Sequence, residues 1–261
     1  MGIVSNLRRI AVVASFAAGV AMVSTAAMAA GDAKHPEKLD WQFSGIFGTV
    51  DMHSAQRGLQ VYLEVCAGCH SLKHVAYRNL GALGFTEDEI KAIAANFEVT
   101  DGPDSEGEMF QRPAIQSDLF VSPFPNQEAA SASNNGANPP DLSLQVKAHP
   151  GGADYIHALL TGYTDAPEGV DMPDGSNYNA FFPGGFIAMP PPLFEDGVEY
   201  SDGTAATVDQ MATDVVNFLQ WTASPEMEQR KKTGFKAVIF LIILSAILYA
   251  GKRKLWSNID H

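Results

Sequence analysis

The chain has 261 residues with 30 acidic and 17 basic side chains, which gives a net charge of −13 at pH 7 with neutral histidines. An acidic surface of this kind repels phosphate backbones, so nucleic acid is excluded as a partner. Only two cysteines are present, so any structural disulfide would have to use both of them.

The N-terminus has the parts of a secretory signal peptide. Two arginines precede an apolar run at residues 10–23, and Ala27 and Ala29 have the spacing of a small-residue cleavage site. We therefore expect residues 1–29 to be removed and the mature chain to begin at Ala30. If the segment were not cleaved, it would serve as an N-terminal anchor.

The mature chain is predicted to be mainly α-helical, because strand signals are weak and four segments have helical spacing of apolar residues. These segments are residues 54–65, 86–95, 154–160 and 207–221. The second begins with a Thr-Glu-Asp-Glu capping box. Gly58 in the first predicts a close helix crossing, and the apolar face of the last is suited to pack on the first. Stretches rich in Gly, Pro and Asn at 131–140 and 166–192 predict long loops.

The motif Cys-x-x-Cys-His follows the first predicted helix. Cys66 and Cys69 are separated by two residues and followed directly by His70, a spacing typical of covalent c-type haem attachment. The two thiols can form thioethers with the haem vinyl groups, and the histidine can bind the iron from one side. A thioredoxin-like redox pair or half of a zinc site would use the same cysteines, but the sequence has no second pair at metal-ligand spacing.

A haem that only carries electrons needs a second axial ligand, usually methionine or histidine. Met189 lies in a stretch, residues 184–193, where two glycines permit close approach and three prolines stiffen the loop. A stiff loop suits a thioether, because it is a weak iron ligand that has to be held in place. Met109 is the alternative sixth ligand, and the helical spacing of Met211 is typical of a core residue.

A second apolar run lies near the C-terminus. Residues 235–251 are apolar apart from Lys236, whose long side chain can reach the headgroups, and the run is long enough for a short transmembrane helix. Basic clusters at 230–232 and 252–254 bracket it, so the positive-inside rule does not decide its orientation. A buried core helix is the alternative interpretation.

Because a signal peptide directs export of the chain behind it, we predict a single-pass protein of the bacterial cytoplasmic membrane. The predicted parts are a signal peptide (1–29), a periplasmic haem domain (30–224), a linker with the transmembrane helix (225–251) and a cytoplasmic tail (252–261).

The charge is concentrated in the predicted exported domain. Residues 30–224 hold 27 of the acidic residues and eight of the basic ones, a net charge of −19. The acids group in three loop segments, residues 98–108, 165–174 and 195–202. Complementary fields raise encounter rates, so this pattern predicts docking of a basic soluble protein. Solubility alone is the alternative explanation.

Six stretches, in this order, closely resemble the cytochrome c1 family. They are RGLQVYLEVCAGCHSLKHVAYRNL (57–80), RPAIQSDLFVSPFPN (112–126), NNGANPPDLS (134–143), GGADYIHALLTGY (151–163), FPGGFIAMPPPL (182–193) and the C-terminal apolar run. The resemblance implies a mainly α, cytochrome c-like haem domain with long loop insertions and one C-terminal transmembrane helix.

The resemblance also implies roles for individual residues around one covalently bound haem c. Cys66 and Cys69 would be the attachment sites, and His70 and Met189 the axial ligands. The same resemblance implies that Arg112 contacts a haem propionate and that the carbonyl of Pro140 accepts a hydrogen bond from the ring of the axial histidine.

Functionally, the resemblance implies the membrane-anchored haem subunit of ubiquinol:cytochrome c oxidoreductase, in a respiratory or photosynthetic chain. A Rieske iron-sulfur protein would deliver electrons, a soluble basic c-type cytochrome would remove them, and cytochrome b would be a membrane partner. The chain by itself would have no quinol site, so catalysis would belong to the complex. A haem enzyme with an open sixth position and a haemless thiol oxidoreductase are the two alternatives from other classes.

Overall fold

The computed structural model describes residues 33–257. The predicted signal peptide at 1–29 lies outside the described residues, and so does the end of the predicted tail from residue 258 onward. Within the described part, helices predominate and the strands form two small antiparallel sheets, which confirms the mainly α fold class.

The α-helices are α1 Met52–Val61, α2 Glu87–Ala95, α3 Gln127–Ser133, α4 Gln145–Ala148, α5 Gly152–Thr161, α6 Val208–Ala223 and α7 Met227–Trp256. A π-helix, Tyr62–Cys66, continues α1, and a 3-10 helix occupies Tyr77–Leu83. The strands are β1 Glu98–Asp101 paired with β2 Phe110–Pro113, and β3 Asn177–Tyr178 paired with β4 Phe186–Ile187.

The apolar core is built around the crossing of α1 and α6, the most extensive helix contact of the described residues. Leu59 on α1 and Val215 and Phe218 on α6 are almost completely buried. A Cβ atom at Gly58 would lie 2.0 Å from the backbone oxygen of Asp214 on α6. Only glycine lets the two backbones approach this closely, so the predicted close crossing is confirmed.

A buried carboxylate ties the two helices together. The side chain of Asp214 is fully buried and accepts hydrogen bonds from Ser54 Oγ at 2.7 Å and from Arg57 Nε at 2.9 Å. Arg57 also pairs with the exposed Asp202 at 3.0 Å. Because the buried charge is both paired and hydrogen-bonded, its desolvation is offset, and the crossing has one preferred register.

The four predicted helices are present, with small shifts at their ends. The capping box at Thr86 is formed, since its hydroxyl accepts from Glu89 N and the Glu89 carboxylate accepts from Thr86 N. The predicted loop 131–140 is wrong in its first three residues, which belong to α3. The side chain of Asn126 caps that helix by accepting from Ala129 N at 2.8 Å, which allows a short exposed helix to begin there.

The C-terminal helix α7 is long and apolar enough to cross a membrane. None of its most apolar window is buried against the rest of the protein, so the alternative of a buried core helix is wrong. The helix begins at Met227, eight residues before the predicted apolar run. The predicted linker is therefore mostly helical and connects rigidly to the span.

Candidate haem site

The attachment motif lies where α1 changes into a π-helix. Cys66 ends the π-helix, and its carbonyl accepts from Cys69 N at 3.1 Å and from His70 N at 2.9 Å. Both thiols are free; that of Cys66 is partly buried and that of Cys69 is exposed. Single π-turns occur frequently at functional sites. Here the wider turn presents both sulfurs and the imidazole from one compact segment.

The imidazole of His70 is oriented by a backbone carbonyl. Its Nδ1 lies 2.8 Å from the oxygen of Pro140, and a carbonyl can only accept, so Nδ1 carries the proton. Nε2 is then left with its lone pair, as a metal ligand requires. Burial lowers the pKa of His70, and this outweighs the opposing effects of the Pro140 carbonyl and of Asp141. The ring is therefore neutral at neutral pH.

The segment that carries Pro140 is itself braced by Asp141. Its carboxylate accepts from Ser71 Oγ and from Lys73 N, both at 2.8 Å, and from Ser143 N at 3.0 Å. Burial alone would raise the pKa of Asp141, but these hydrogen bonds outweigh it and lower the pKa below the ordinary value. The ionised carboxylate thus joins the segment that follows His70 to the segment that follows Pro140.

Met189 lies partly buried in a loop held against α5. Its backbone oxygen accepts from the hydroxyl of Tyr163 at 3.1 Å and from Asn177 Nδ2 at 3.4 Å. The β3–β4 hairpin precedes it, and the buried side chain of Asn179 donates to Leu159 O at 2.8 Å, which joins the hairpin to α5. The loop therefore has fixed contacts at its start and at the methionine itself.

The other candidate methionines lie in different surroundings. Met211 is completely buried in the core, which confirms its assignment as a packing residue. The side chain of Met109 is 60% exposed beside strand β2. Unlike Met109 and Met211, Met189 is partly buried and lies in a loop held by hydrogen bonds.

Comparison with known proteins agrees with this arrangement. A model of the Cytochrome C1 family matches residues 41–259. The chain belongs to the cytochrome c1 family. Members of this family are electron-transferring haem subunits of the bc1 complex.

Individual relatives support the same assignment. The chain is 49% identical over 240 residues to cytochrome c1 of Rhodospirillum rubrum, an alignment that covers 86% of this chain and 88% of that protein. It is 53% identical over 222 residues to the mitochondrial cytochrome c1 haem protein of Schizosaccharomyces pombe, covering 85% of this chain and 72% of the relative. It is also 43% identical over 284 residues to a Bradyrhizobium diazoefficiens protein named cytochrome b/c1, covering 95% of this chain and 41% of that protein.

The thiol of Cys66 is a poor nucleophile for redox exchange. Burial, with a smaller effect of neighbouring Cys69, raises the pKa of Cys66 to about 12. Attacking cysteines of thiol oxidoreductases have lowered pKa values, so Cys66 is unsuited to the attacking role in a haemless thiol oxidoreductase. Residues 33–257 contain no group of three or more His, Cys, Asp and Glu side chains placed to hold a metal ion.

The residues present therefore fit a haem c. Two free thiols and an imidazole with an available Nε2 come from one turn, and a braced, partly buried thioether comes from another loop. This donor set is the combination found in cytochromes with His and Met ligands.

Arg112 has other partners in this structure. Its guanidinium donates to the carboxylate of Asp118, with Nη1 at 2.7 Å, to the carboxylate of Asp101 and to the backbone oxygen of Pro113 at 3.0 Å. The hydrogen bonds from Arg112 lower the pKa values of both carboxyl groups. The contact with a haem propionate stays a prediction, and such a propionate would have to compete with these two carboxylates.

Four positioning residues did not emerge from the sequence: Asp141, Ser71, Tyr163 and Asn177. An Asp two residues before a Ser, as in Pro-Asp-Leu-Ser, is a local signal for an Asx turn, and Ser143 N does bond to Asp141. Nothing local indicates that the same carboxylate reaches Ser71 or that Tyr163 reaches Met189, because those contacts join distant segments.

Proposed function

We propose that this cytochrome c1 carries one covalently bound haem c through Cys66 and Cys69, with His70 and Met189 as axial ligands. The observation that carries the proposal is the hydrogen bond of His70 Nδ1 to Pro140 directly after the Cys-x-x-Cys turn. When bound, the haem supplies the one-electron couple of its iron.

Neighbouring residues of the chain would hold the two iron ligands in a narrow range of geometries. Pro140 fixes the imidazole tautomer, and Asp141 fixes Pro140. Tyr163 and Asn177 hold the backbone of Met189. If His70 and Met189 both held the iron, little rearrangement would accompany a change of its oxidation state, and substrates would be kept from it. These features support electron transfer rather than a haem enzyme.

We further propose that a Rieske iron-sulfur protein delivers the electrons and that a soluble basic c-type cytochrome removes them, with cytochrome b as a membrane partner. The names of two relatives, cytochrome b/c1 and cytochrome b-c1 complex catalytic subunit, place those proteins with cytochrome b. We also propose that the signal peptide exports the haem domain to the periplasmic side of the bacterial cytoplasmic membrane. Protease treatment of spheroplasts should then remove the haem domain, whereas full protection would contradict this orientation.

The acidic loop at 165–174 is the best supported docking surface for the soluble cytochrome. Its four acidic side chains are exposed and have no hydrogen-bond or ion-pair partner among residues 33–257. By contrast, Asp101 pairs with Arg112, and Asp202 pairs with Arg57. Electron transfer to a basic cytochrome should slow as ionic strength rises, because salt screens the attraction. A rate independent of salt would contradict electrostatic docking.

The axial ligands are tested on the purified full-length haem protein and on Met189→Leu. The wild type should show the weak sulfur-to-iron charge-transfer band of the oxidised form and resist carbon monoxide when reduced, and the variant should lose both properties. Met109→Leu is the matched control and should behave as wild type. Haem that stays with the denatured chain would confirm covalent attachment. If the band survives in Met189→Leu, another residue is the sixth ligand.

A further inference from the structure

The turn between Phe43 and Val50, which we call the juxtamembrane turn, is clamped onto the start of α7. Lys231 Nζ donates to the carbonyl oxygens of Phe43 at 2.6 Å and of Gly48 at 3.0 Å. Glu228 Oε1 accepts from Val50 N at 3.1 Å. Both ends of the turn are thus bonded to α7, so its height along that helix is set.

The tip of the juxtamembrane turn is strongly apolar and exposed. Ile46 and Phe47 are 70% and 76% exposed, more than any other large apolar side chain in residues 33–226. The ring of Phe47 meets that of Phe235 edge to face, with centroids 5.5 Å apart. Two neighbouring side chains of this kind form an exposed apolar patch, and such patches mark sites of contact with proteins or membranes.

The length of the α7 apolar run sets the depth of this tip. The run from Phe235 to Gly251 has 17 residues, or about 25 Å at 1.5 Å per residue. A hydrocarbon core is about 30 Å thick, so the span has no apolar residues to spare and Phe235 lies at the edge of the core. Phe47 touches Phe235 and must lie at the same level.

An open cleft lies between the juxtamembrane turn and α7, with one apolar and one basic side. Its lining includes Ile46, Phe47 and Phe235, and also Thr49, Lys232 and Lys236. Lys236 has no hydrogen-bond or ion-pair partner among residues 33–257, and Lys232 is 3.7 Å from Glu228 with a side chain 71% exposed. Two ammonium groups are therefore available: Lys232 lies about one turn before Phe235, and Lys236 lies in the apolar run, from which its long side chain can reach back to the headgroups. Lys231 is not, because the backbone carbonyls hold it.

We propose that this cleft binds an anionic phospholipid of the bilayer, at the membrane surface on the haem-domain side. Acyl chains would pack on Ile46, Phe47 and Phe235, while Lys232 and Lys236 would hold the headgroup phosphate. Apolar groups at core depth, Lys232 one turn away and the flexible side chain of Lys236 reaching back to the headgroups match the layering of a phospholipid. The site is continuous with the membrane-spanning surface of α7, which favours lipid as the occupant. The proposal depends on α7 lying in a membrane and is independent of the haem ligands.

The test places a photoreactive benzophenone amino acid at position 47 of the full chain in the purified complex. The complex is reconstituted into nanodiscs of phosphatidylcholine and phosphatidylglycerol and is then illuminated. Mass spectrometry of the labelled peptide identifies the adduct by its mass. The same amino acid at Phe194, which is 65% exposed on the haem domain, is the matched control. We expect lipid adducts at position 47 and none at position 194.

Two results at position 47 would overturn the proposal. Crosslinks to another protein chain in place of lipid would show that a subunit occupies the cleft. The absence of any lipid adduct, in nanodiscs that retain the complex, would show that the tip does not reach the bilayer.

The basic half of the site is tested separately with the photoreactive group kept at position 47. Lys232→Gln combined with Lys236→Gln should lower the share of phosphatidylglycerol among the adducts, by about fivefold for each lysine that contacts phosphate. Lys91→Gln on α2 is the control and should leave the share unchanged. An unchanged share in the double variant would overturn the binding of an anionic headgroup by these two lysines.

Discussion

The histidine side and the methionine side of the proposed haem site are held in different ways. His70 follows a helix that packs in the core, and its backbone oxygen accepts from the buried Tyr62 at 3.1 Å. Its ring contacts Pro140 in a segment braced by Asp141. Met189 instead lies in a long insertion, where two-residue strands and two side-chain hydrogen bonds to its own carbonyl hold the loop.

This difference matches the strengths of the two proposed iron ligands. Imidazole is the stronger ligand and is oriented by the core of the domain, whereas the weaker thioether relies on a loop with few buried contacts. Elements with few buried contacts open at lower free-energy cost than core helices. We therefore expect disturbances of the core to destabilise the whole domain, and disturbances near Met189 to open the sixth position while the fold survives.

The largest effect should follow from Gly58→Ala in α1. The added Cβ would lie 2.0 Å from Asp214 O and 2.8 Å from Phe218 Cβ, so the helices must move apart. We expect a loss of about 3 kcal/mol in the free energy of unfolding, at the upper end of overpacking costs. Denaturant unfolding of the haem protein measures it. Gly234→Ala in α7, where nothing lies within 4 Å of the new atom, is the control. Equal stability of the two variants would contradict the close crossing.

An intermediate and selective effect is expected from Tyr163→Phe. The change removes the hydroxyl that donates to Met189 O and weakens the loop by about 1 kcal/mol. Reduced haem should then bind carbon monoxide more readily while the midpoint of global unfolding changes little. Tyr155→Phe on α5 removes a hydroxyl with no hydrogen-bond partner among residues 33–257 and is the control. If both variants bind carbon monoxide like the wild type, the hydroxyl does not position the methionine.

The smallest effect is expected at Arg112, which makes none of the contacts that position His70 or Met189. Hydrogen bonds from Arg112 hold the pKa values of Asp101 and Asp118 below their ordinary value of 3.8. Their stabilising contribution is therefore present above that pH and lost as the pH falls through the lower, folded pKa values. In Arg112→Gln, thermal stability should fall slightly at neutral pH, and its acid dependence below pH 3.8 should flatten.

The same variant distinguishes the two roles of Arg112. Loss of a contact with a haem propionate would shift the midpoint potential, whereas loss of the two ion pairs alone would change stability and leave the potential as in the wild type. Lys91→Gln removes an exposed pair with Asp88 and should change neither quantity.

Local patterns in the sequence were sufficient for the parts of the molecule that depend on neighbouring residues. The Cys-x-x-Cys-His turn, the capping box at Thr86 and the apolar run of α7 each lie within a few helical turns, so the residue types alone indicate their structure. Gly58 also predicted the close helix crossing, because an isolated glycine in a helix has a free-energy cost that close packing has to offset. The contact of Pro140 with His70 followed from the family resemblance, not from the local pattern.

Only the tertiary structure determined how distant segments meet. Asp141 bonds to Ser71 across 70 positions of the chain, and Tyr163 bonds to Met189 across 26. Lys231 clamps the juxtamembrane turn across more than 180 positions. A carboxylate, a hydroxyl or an ammonium group can form hydrogen bonds with many different partners. Its partner is therefore selected by which backbone groups the fold brings within hydrogen-bonding distance.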